Sequence, residues 1–120
     1  MNLNENKKLV LSLLDTFKEA GDVSLVFRKR GLKTKIKSDN TPVSNGDLEV
    51  NKILTKKISE LTPNIPIVSE ETSDNKSRDN LENFWLIDPI DGTFDYINNL
   101  DEFTINAGSV SYTHLTLPTT

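Results

Sequence analysis

The chain has 120 residues, a length typical of one domain. Hydrophobic residues make up 35% of it, and 14 basic against 18 acidic residues give a formal charge of −4, which argues against a nucleic-acid polymer as partner. The absence of cysteine excludes disulfides, thiolate zinc sites, iron–sulfur clusters and cysteine nucleophiles. No apolar stretch approaches the length of a transmembrane segment, and no secretion signal is recognisable. We therefore expect a cytoplasmic protein.

Two amphipathic helices are predicted in the first half of the chain. Apolar residues recur at helical spacing over 9–27 and form one broad stripe that we expect to pack in the core. Gly31 is a suitable stop for this helix. The segment 33–38 predicts an exposed strand, and 39–42 predicts a turn. A second helix is predicted to carry its apolar residues over 48–61.

Strands dominate the predicted second half. Strands are expected over 65–69, over 84–87 and from 103 to 107, and a short helix is expected over 93–97. The polar segment 71–82 predicts a mobile loop. Pro89 and Gly92 are expected to end the apolar strand that precedes them. This order of elements predicts an α/β fold of mixed α and β layers.

The segment 88–93, with the sequence DPIDGT, is the strongest local candidate for a functional site, because it follows a predicted buried strand. Two carboxylates and one carbonyl at this spacing could face one point, and oxygen ligands suit a hard cation such as Mg²⁺. The N–H groups that open the helix after Gly92 could bind a phosphate. The alternative is a glycine-containing turn in which an aspartate caps the helix.

Three other acidic residues also have a purely structural explanation. Glu70 and Glu71 follow the strand at 65–69, where paired glutamates are usually solvated. Asp47 stands three residues after Ser44, an arrangement close to a capping box, and its charge suits the start of a helix. From the residues alone, a structural and a catalytic interpretation of these positions both stay open.

Taken together, four segments resemble the inositol monophosphatase superfamily of Mg²⁺-dependent, lithium-sensitive phosphomonoesterases. They are SDNTPV at 38–43 leading to Asp47, IVSEE at 67–71, WLIDPIDGT at 85–93 and EFTIN at 102–106. The resemblance covers roughly residues 9–109 and is strongest to the 3′(2′),5′-bisphosphate nucleotidase branch. Phe94 departs from the lysine often found there, and Asn45-Gly46 replaces an acidic–alanine pair.

The resemblance implies a metal site and assigns its ligands. Glu70, Asp88 and the Ile90 carbonyl would hold one Mg²⁺, while Asp88 and Asp91 would contribute to a second. Such ions lower the pKa of a bound water and neutralise the charge of a phosphate. A cluster of acids without a basic clamp needs such cations to attract an anionic substrate.

Catalytic and substrate-binding roles are implied in the same way. Thr93, paired with Asp47, would orient the attacking water. The backbone N–H groups of Gly92 and Thr93, beside Asp91, would bind the phosphate that is removed. The substrate would be a small phosphorylated molecule, a nucleoside bisphosphate or an inositol phosphate.

The resemblance also implies a larger protein. Members of the superfamily are about twice as long, so residues 1–109 would be the N-terminal, metal-binding part of the sugar-phosphatase αβαβα sandwich, truncated and inactive by itself. The complete protein would remove the 3′-phosphate of adenosine 3′,5′-bisphosphate and form a homodimer. The alternatives are an inositol-1-monophosphatase or related sugar phosphatase, and a non-catalytic acidic module that binds a cation.

The last residues do not continue the superfamily pattern. The segment 110–120 resembles one reading frame of a transposon-end sequencing adapter, so we expect it to be a non-native tail. The alternative is an ordinary polar terminus.

Overall fold

The computed structural model of the chain describes residues 3–71 and 83–111. Its elements, in chain order, are α1 (Leu3–Arg30), β1 (Thr34–Ile36), β2 (Pro42–Ser44), α2 (Asn45–Leu61), β3 (Ile67–Ser69), β4 (Asn83–Asp91), α3 (Thr93–Ile97) and β5 (Thr104–Ser111). The predicted mixed α/β fold is confirmed. Most of the predicted loop, from 72 to 82, lies outside the described residues.

The strands form two sheets. β1 and β2 pair antiparallel as a two-stranded sheet, and the other sheet has the order β3-β4-β5. β3 runs parallel to β4, with Ser69 opposite Ile87, whereas β5 runs antiparallel to β4. Because parallel strands end at the same edge of a sheet, the residues that follow β3 come to lie beside the end of β4.

The two long helices bury apolar side chains in one core with the sheet, where α1 packs mainly on α2 and α2 packs on β4. On α2, Val50, Leu54 and Ile58 recur every four residues and are fully buried, as a core-facing stripe requires. Trp85 on β4 is buried against the same core, and its Nε1–H donates to the Thr62 hydroxyl at 2.9 Å. This hydrogen bond ties the C-terminal cap of α2 to the strand that leads to the candidate site.

Helix α1 differs from its prediction in length and in burial. It begins at Leu3 and ends before Gly31, whose positive φ of 97° is the conformation typical of a helix stop. Leu13 and Ala20 are buried, but Val10 and Leu14 are more than half exposed. The expectation of one broad buried stripe was therefore wrong, because the apolar positions span a wider arc than the helix buries.

The strands on either side of the site also differ from prediction. β2 begins at Pro42, the last residue of the segment predicted as a turn, and it pairs with β1. β4 continues through Pro89 to Asp91, although Pro89 was expected to end it. Its register with β5 shifts between Asp88 and Asp91, and a proline, which has no N–H to donate, is tolerated at such an irregularity. The DPID sequence therefore lies in extended backbone.

Strand β5 reaches the segment expected to be non-native. Val110 and Ser111 pair with Phe84 and Asn83 at the start of β4, and residues 112–120 lie outside the described part of the chain. Among the helices that the structure describes, none combines the length and apolar character needed to cross a membrane.

Candidate active site

Asp47 is held rigidly at the start of α2. Ser44 is the N-cap residue, and its hydroxyl accepts a hydrogen bond from the Asp47 N–H, while the Asp47 carboxylate accepts one from the Ser44 N–H at 2.9 Å. The Ser44 hydroxyl also hydrogen-bonds the Asp47 carboxylate. This is the capping box that the spacing predicted, with aspartate in place of glutamate. The Asp47 side chain is fully buried, so its orientation is fixed.

The Thr93 hydroxyl is within hydrogen-bond distance of the Asp47 carboxylate. Its Oγ1 lies 2.8 Å from Asp47 Oδ1 and 3.0 Å from the Ile90 carbonyl oxygen. The two residues are 46 positions apart and come from the first turns of different helices. A hydroxyl whose proton points at a buried carboxylate keeps its oxygen lone pairs free to accept a hydrogen bond from a third group. The pair could therefore orient a water molecule.

The acidic residues named as metal ligands lie at the ends of β3 and β4. The Glu70 N–H donates to the Ile87 carbonyl at 3.0 Å, which places Glu70 beside the residue that precedes Asp88. Glu70 and Asp91 are exposed, and Asp88 is half-buried. Burial raises the pKa of Asp88, and the negative charges of Asp91, Glu70 and Asp47 raise it further. These four carboxylates therefore share one electrostatic environment.

The donor set fits a hard cation in chemistry, although it is not preassembled. Within residues 3–71 and 83–111, no three acidic or histidine side chains stand close enough together to form a ligand cluster. All the candidate donors are oxygens, three carboxylates and the Ile90 carbonyl, which is the type of ligand that Mg²⁺ takes. After burial, which is the largest cause, the charges of Asp91, Glu70 and Asp47 contribute to the raised pKa of Asp88, and a bound cation would relieve that repulsion.

Glu71 is not solvated, contrary to what is usual for paired glutamates after a strand. Its side chain is only 5% exposed, and its carboxylate lies 3.7 Å from the ammonium of Lys37. Burial raises the pKa of Glu71, whereas the positive charge of Lys37 lowers it. Nothing within the segment distinguishes Glu71 from its neighbour Glu70, because the partner follows β1 in a distant part of the chain.

Gly92 shapes the turn between β4 and α3. Its φ of 88° is in the left-handed region that favours glycine, and a Cβ there would lie 2.8 Å from the Glu102 carbonyl oxygen. The loop before β5 therefore packs directly on this turn. The binding of phosphate by the N–H groups of Gly92 and Thr93 stays a prediction, as do the roles assigned to the metal ligands.

Comparisons with known proteins place these features in a family. The chain matches the inositol monophosphatase family over residues 8–114. The 3′(2′),5′-bisphosphate nucleotidase CysQ of Aggregatibacter actinomycetemcomitans is 38% identical over 99 residues, which are 81% of this chain and 37% of that protein.

Solved structures share the fold. Thermotoga maritima IMPase matches with a TM-score of 0.74 and 24% identity, covering 88% of this chain and 40% of that one. An IMPase/NADP phosphatase complexed with Mg²⁺ and phosphate matches with a TM-score of 0.67 and 20% identity, covering 91% of this chain and 40% of that one.

The matched lengths show what the chain represents. It spans about two fifths of the length of these relatives, and so corresponds to part of their fold. The expectation of a truncated phosphatase fold is confirmed in this respect. The match over residues 8–114 shows that the chain belongs to the inositol monophosphatase family.

Proposed function

We propose that the complete protein, meaning this chain continued to the length of its relatives, is a Mg²⁺-dependent phosphomonoesterase. Its substrate would be adenosine 3′,5′-bisphosphate, from which it removes the 3′-phosphate. The observation that carries the proposal is the hydrogen bond between Thr93 and the buried carboxylate of Asp47. The similarity to a bisphosphate nucleotidase supports the choice of substrate.

Each residue would contribute a separate part of the reaction. Glu70, Asp88, Asp91 and the Ile90 carbonyl would hold Mg²⁺, which when bound lowers the pKa of a water and neutralises phosphate charge. Thr93 Oγ1 would accept a hydrogen bond from the attacking water. Its own proton would stay directed at Asp47 Oδ1.

The phosphate would be bound by backbone groups. The left-handed Gly92 opens α3, so the N–H groups of Gly92 and Thr93 begin a helix, where backbone donors lack partners within the helix. Asp91, immediately before them, would place the cation beside the same phosphate. This arrangement would hold the reacting phosphorus close to the Thr93 hydroxyl.

The contact between Thr93 and Asp47 also distinguishes a phosphatase from a non-catalytic module. A non-catalytic module that binds a cation would need the exposed carboxylates but would have no use for a threonine hydroxyl directed at a buried aspartate. An inositol-1-monophosphatase or another sugar phosphatase would use the same residues. The two phosphatases therefore differ in their substrate pocket, and an assay must separate them.

We expect the complete protein to hydrolyse adenosine 3′,5′-bisphosphate with a higher kcat/KM than inositol 1-phosphate. The reason is the local similarity to bisphosphate nucleotidases. The measurement is phosphate release from both substrates with Mg²⁺, side by side under one set of conditions. A clear preference for inositol phosphate would replace the proposal with its alternative, and turnover of neither substrate would favour the cation-binding module.

Our remaining proposals concern the chain as a fragment. Residues 1–109 would be the metal-binding part of the domain, inactive alone, and 110–120 a non-native tail. Codons in 110–120 that depart synonymously from the adapter sequence would show that this segment is not a non-native tail.

We also propose that the complete protein is cytoplasmic and forms a homodimer. Cell fractionation would test the first proposal, and sedimentation would test the second.

Replacement of Lys37 by glutamine is expected to increase the stabilisation that Mg²⁺ gives to the complete protein. The charge of Lys37 lowers the pKa of both Glu71 and Asp88, so it partly compensates their repulsion when no cation is present. Its loss should destabilise the metal-free protein by no more than about 1 kcal/mol, since the pair is partly solvated. The measurement is the Tm with and without Mg²⁺.

The matched control is Lys35→Gln, which removes an exposed lysine from β1. It should leave the Tm gain from Mg²⁺ at the wild-type value. An equal gain in the Lys37 variant and the control would show that Lys37 does not act on the acidic site.

A further inference from the structure

Tyr96 is fixed from several directions in the described part of the fold. The side chain is fully buried, and its hydroxyl donates to the Ser24 carbonyl of α1 at 2.6 Å. Its ring meets that of Phe103 edge to face, with centroids 4.9 Å apart, and the Arg28 guanidinium lies 5.7 Å from its ring centroid. Mainly through burial, the pKa of Tyr96 is raised to about 12, so the hydroxyl keeps its proton and stays a donor.

The Tyr96 ring also fills the space above Gly46 in the first turn of α2. A Cβ added at Gly46 would overlap the Tyr96 hydroxyl oxygen and lie 2.9 Å from the ring atoms Cε2 and Cζ. Gly46 has no positive φ, so its backbone conformation does not require glycine. Since glycine is unfavourable inside a helix, the space taken by Tyr96 is the physical reason for a glycine at this position.

The contact between Tyr96 and Gly46 lies directly beside Thr93 and Asp47, which form the candidate catalytic pair. Gly46 immediately precedes Asp47 on α2, and Tyr96 stands three residues after Thr93 on α3, one turn along the helix. The closeness of the ring to Gly46 therefore controls how near the first turns of the two helices can come. Those are the turns from which Thr93 and Asp47 reach each other.

We infer that Tyr96 is a positioning residue, which packs on Gly46 and thereby holds the Thr93 hydroxyl within hydrogen-bond distance of Asp47. The hydrogen bond to Ser24 and the contact with the Phe103 ring hold Tyr96 in place, so that it cannot move away from α2. Only the last step, that this pair orients the attacking water, rests on the proposed function. An ordinary core residue would affect stability but not the geometry of the pair.

The test begins with Gly46→Ala in the complete protein. The added methyl must displace Tyr96, and we expect kcat to fall by about 10–100-fold while KM changes little, because the reacting groups are misaligned but the substrate contacts remain. The matched control is Gly21→Ala on α1, where an added Cβ meets nothing within 4 Å. That control should keep the wild-type kcat.

Rescue by a second substitution tests the contact itself. Tyr96→Phe removes the hydroxyl oxygen, the atom that the methyl would overlap most, and leaves the ring atoms Cε2 and Cζ 2.9 Å from the methyl. A small shift of the ring then suffices, so the double variant Gly46→Ala with Tyr96→Phe should recover part of the lost kcat. A double variant as slow as Gly46→Ala alone would overturn the inference, and so would a Gly46→Ala variant with the wild-type kcat.

A third arm asks whether the effect passes through the catalytic pair. In a Thr93→Val background the hydroxyl is absent, so Gly46→Ala should lower kcat no further. The same fold-loss in both backgrounds would mean that Tyr96 acts on stability alone and would reject the positioning role.

A measurement that does not depend on activity separates failure of this inference from failure of the proposed function. If the complete protein turned over none of the substrates, the NMR chemical shift of the Thr93 γ-methyl group would instead test whether Tyr96 positions the Thr93 hydroxyl. Gly46→Ala should shift that resonance and the added Tyr96→Phe should move it part of the way back, whereas a resonance that Gly46→Ala leaves unmoved would overturn the inference.

Discussion

Asp91→Asn is expected to abolish Mg²⁺-dependent turnover in the complete protein while leaving the metal-free fold as stable as wild type, or slightly more stable. After burial, the charge of Asp91 is the largest cause of the raised pKa of Asp88. Without a cation this charge repels its neighbour, so its removal should not destabilise the fold. With a cation the same change replaces a carboxylate by a weaker ligand.

The expected loss of turnover is large because a proposed metal ligand is changed. Loss of a group that only orients a ligand typically costs about 10–100-fold in activity or metal affinity, and loss of a ligand should exceed that. The measurement combines melting curves, with and without Mg²⁺, with an assay of phosphate release. Mg²⁺ should raise the Tm of the wild-type protein but have little effect on the variant.

Asp22→Asn on the exposed face of α1 is the matched control, with the same chemical change away from the site. It should keep both the turnover and the Tm gain. If Asp91 only shaped the turn before α3, asparagine would serve almost equally well there, and near-normal turnover would assign Asp91 to that structural role.

Local sequence patterns predicted those elements whose causes are local. The bounds of α3 and the capping box of α2 follow from residues within one or two turns, and both are confirmed. The strand that carries the DPID sequence was predicted too short. Pro89 indicated an end, but the register shift of β4 against β5 accommodates it, and that shift depends on a strand later in the chain.

In the candidate site too, features with local causes could be predicted, and contacts between distant parts of the chain could not. The acidic residues could be found from their motifs, because each follows a predicted strand. The partner of Asp47 came only from resemblance, since no local pattern joins it to Thr93, 46 residues away. The contact between Tyr96 and Gly46 had no signal in the sequence, because a tyrosine at helical spacing is typical of a core position and a glycine before a helix is typical of a turn.

Asp47→Asn is expected to lower kcat of the complete protein by about 10²-fold, the cost typical of misplaced reacting groups, because the Thr93 hydroxyl would lose its fixed orientation. It should also lower the free energy of unfolding by about 1–3 kcal/mol. The buried carboxylate accepts hydrogen bonds from the Ser44 N–H, the Ser44 hydroxyl and the Thr93 hydroxyl. Asparagine has one acceptor oxygen and an NH₂ group, so with its oxygen on Ser44 the NH₂ group would donate to Thr93 Oγ1, and the Thr93 proton would have to turn to the Ile90 carbonyl oxygen 3.0 Å away.

Variants of Thr93 separate the loss of kcat expected for Asp47→Asn from its loss of stability. Thr93→Ser keeps the hydroxyl and should retain most of the turnover, whereas Thr93→Val removes it and leaves the bonds between Asp47 and Ser44 in place. The valine variant should therefore lose turnover with a smaller loss of stability than Asp47→Asn. The measurements are kcat and urea unfolding for each variant.

The double variant decides whether the two residues act as one unit. If Asp47 acts on the reaction only through the Thr93 hydroxyl, Asp47→Asn should not lower kcat further once valine has replaced Thr93, because the hydroxyl that it orients is already gone. Multiplied losses in kcat would show that the residues act independently. Retention of turnover in Asp47→Asn would reduce Asp47 to its place in the capping box, where an asparagine oxygen can still accept the Ser44 N–H.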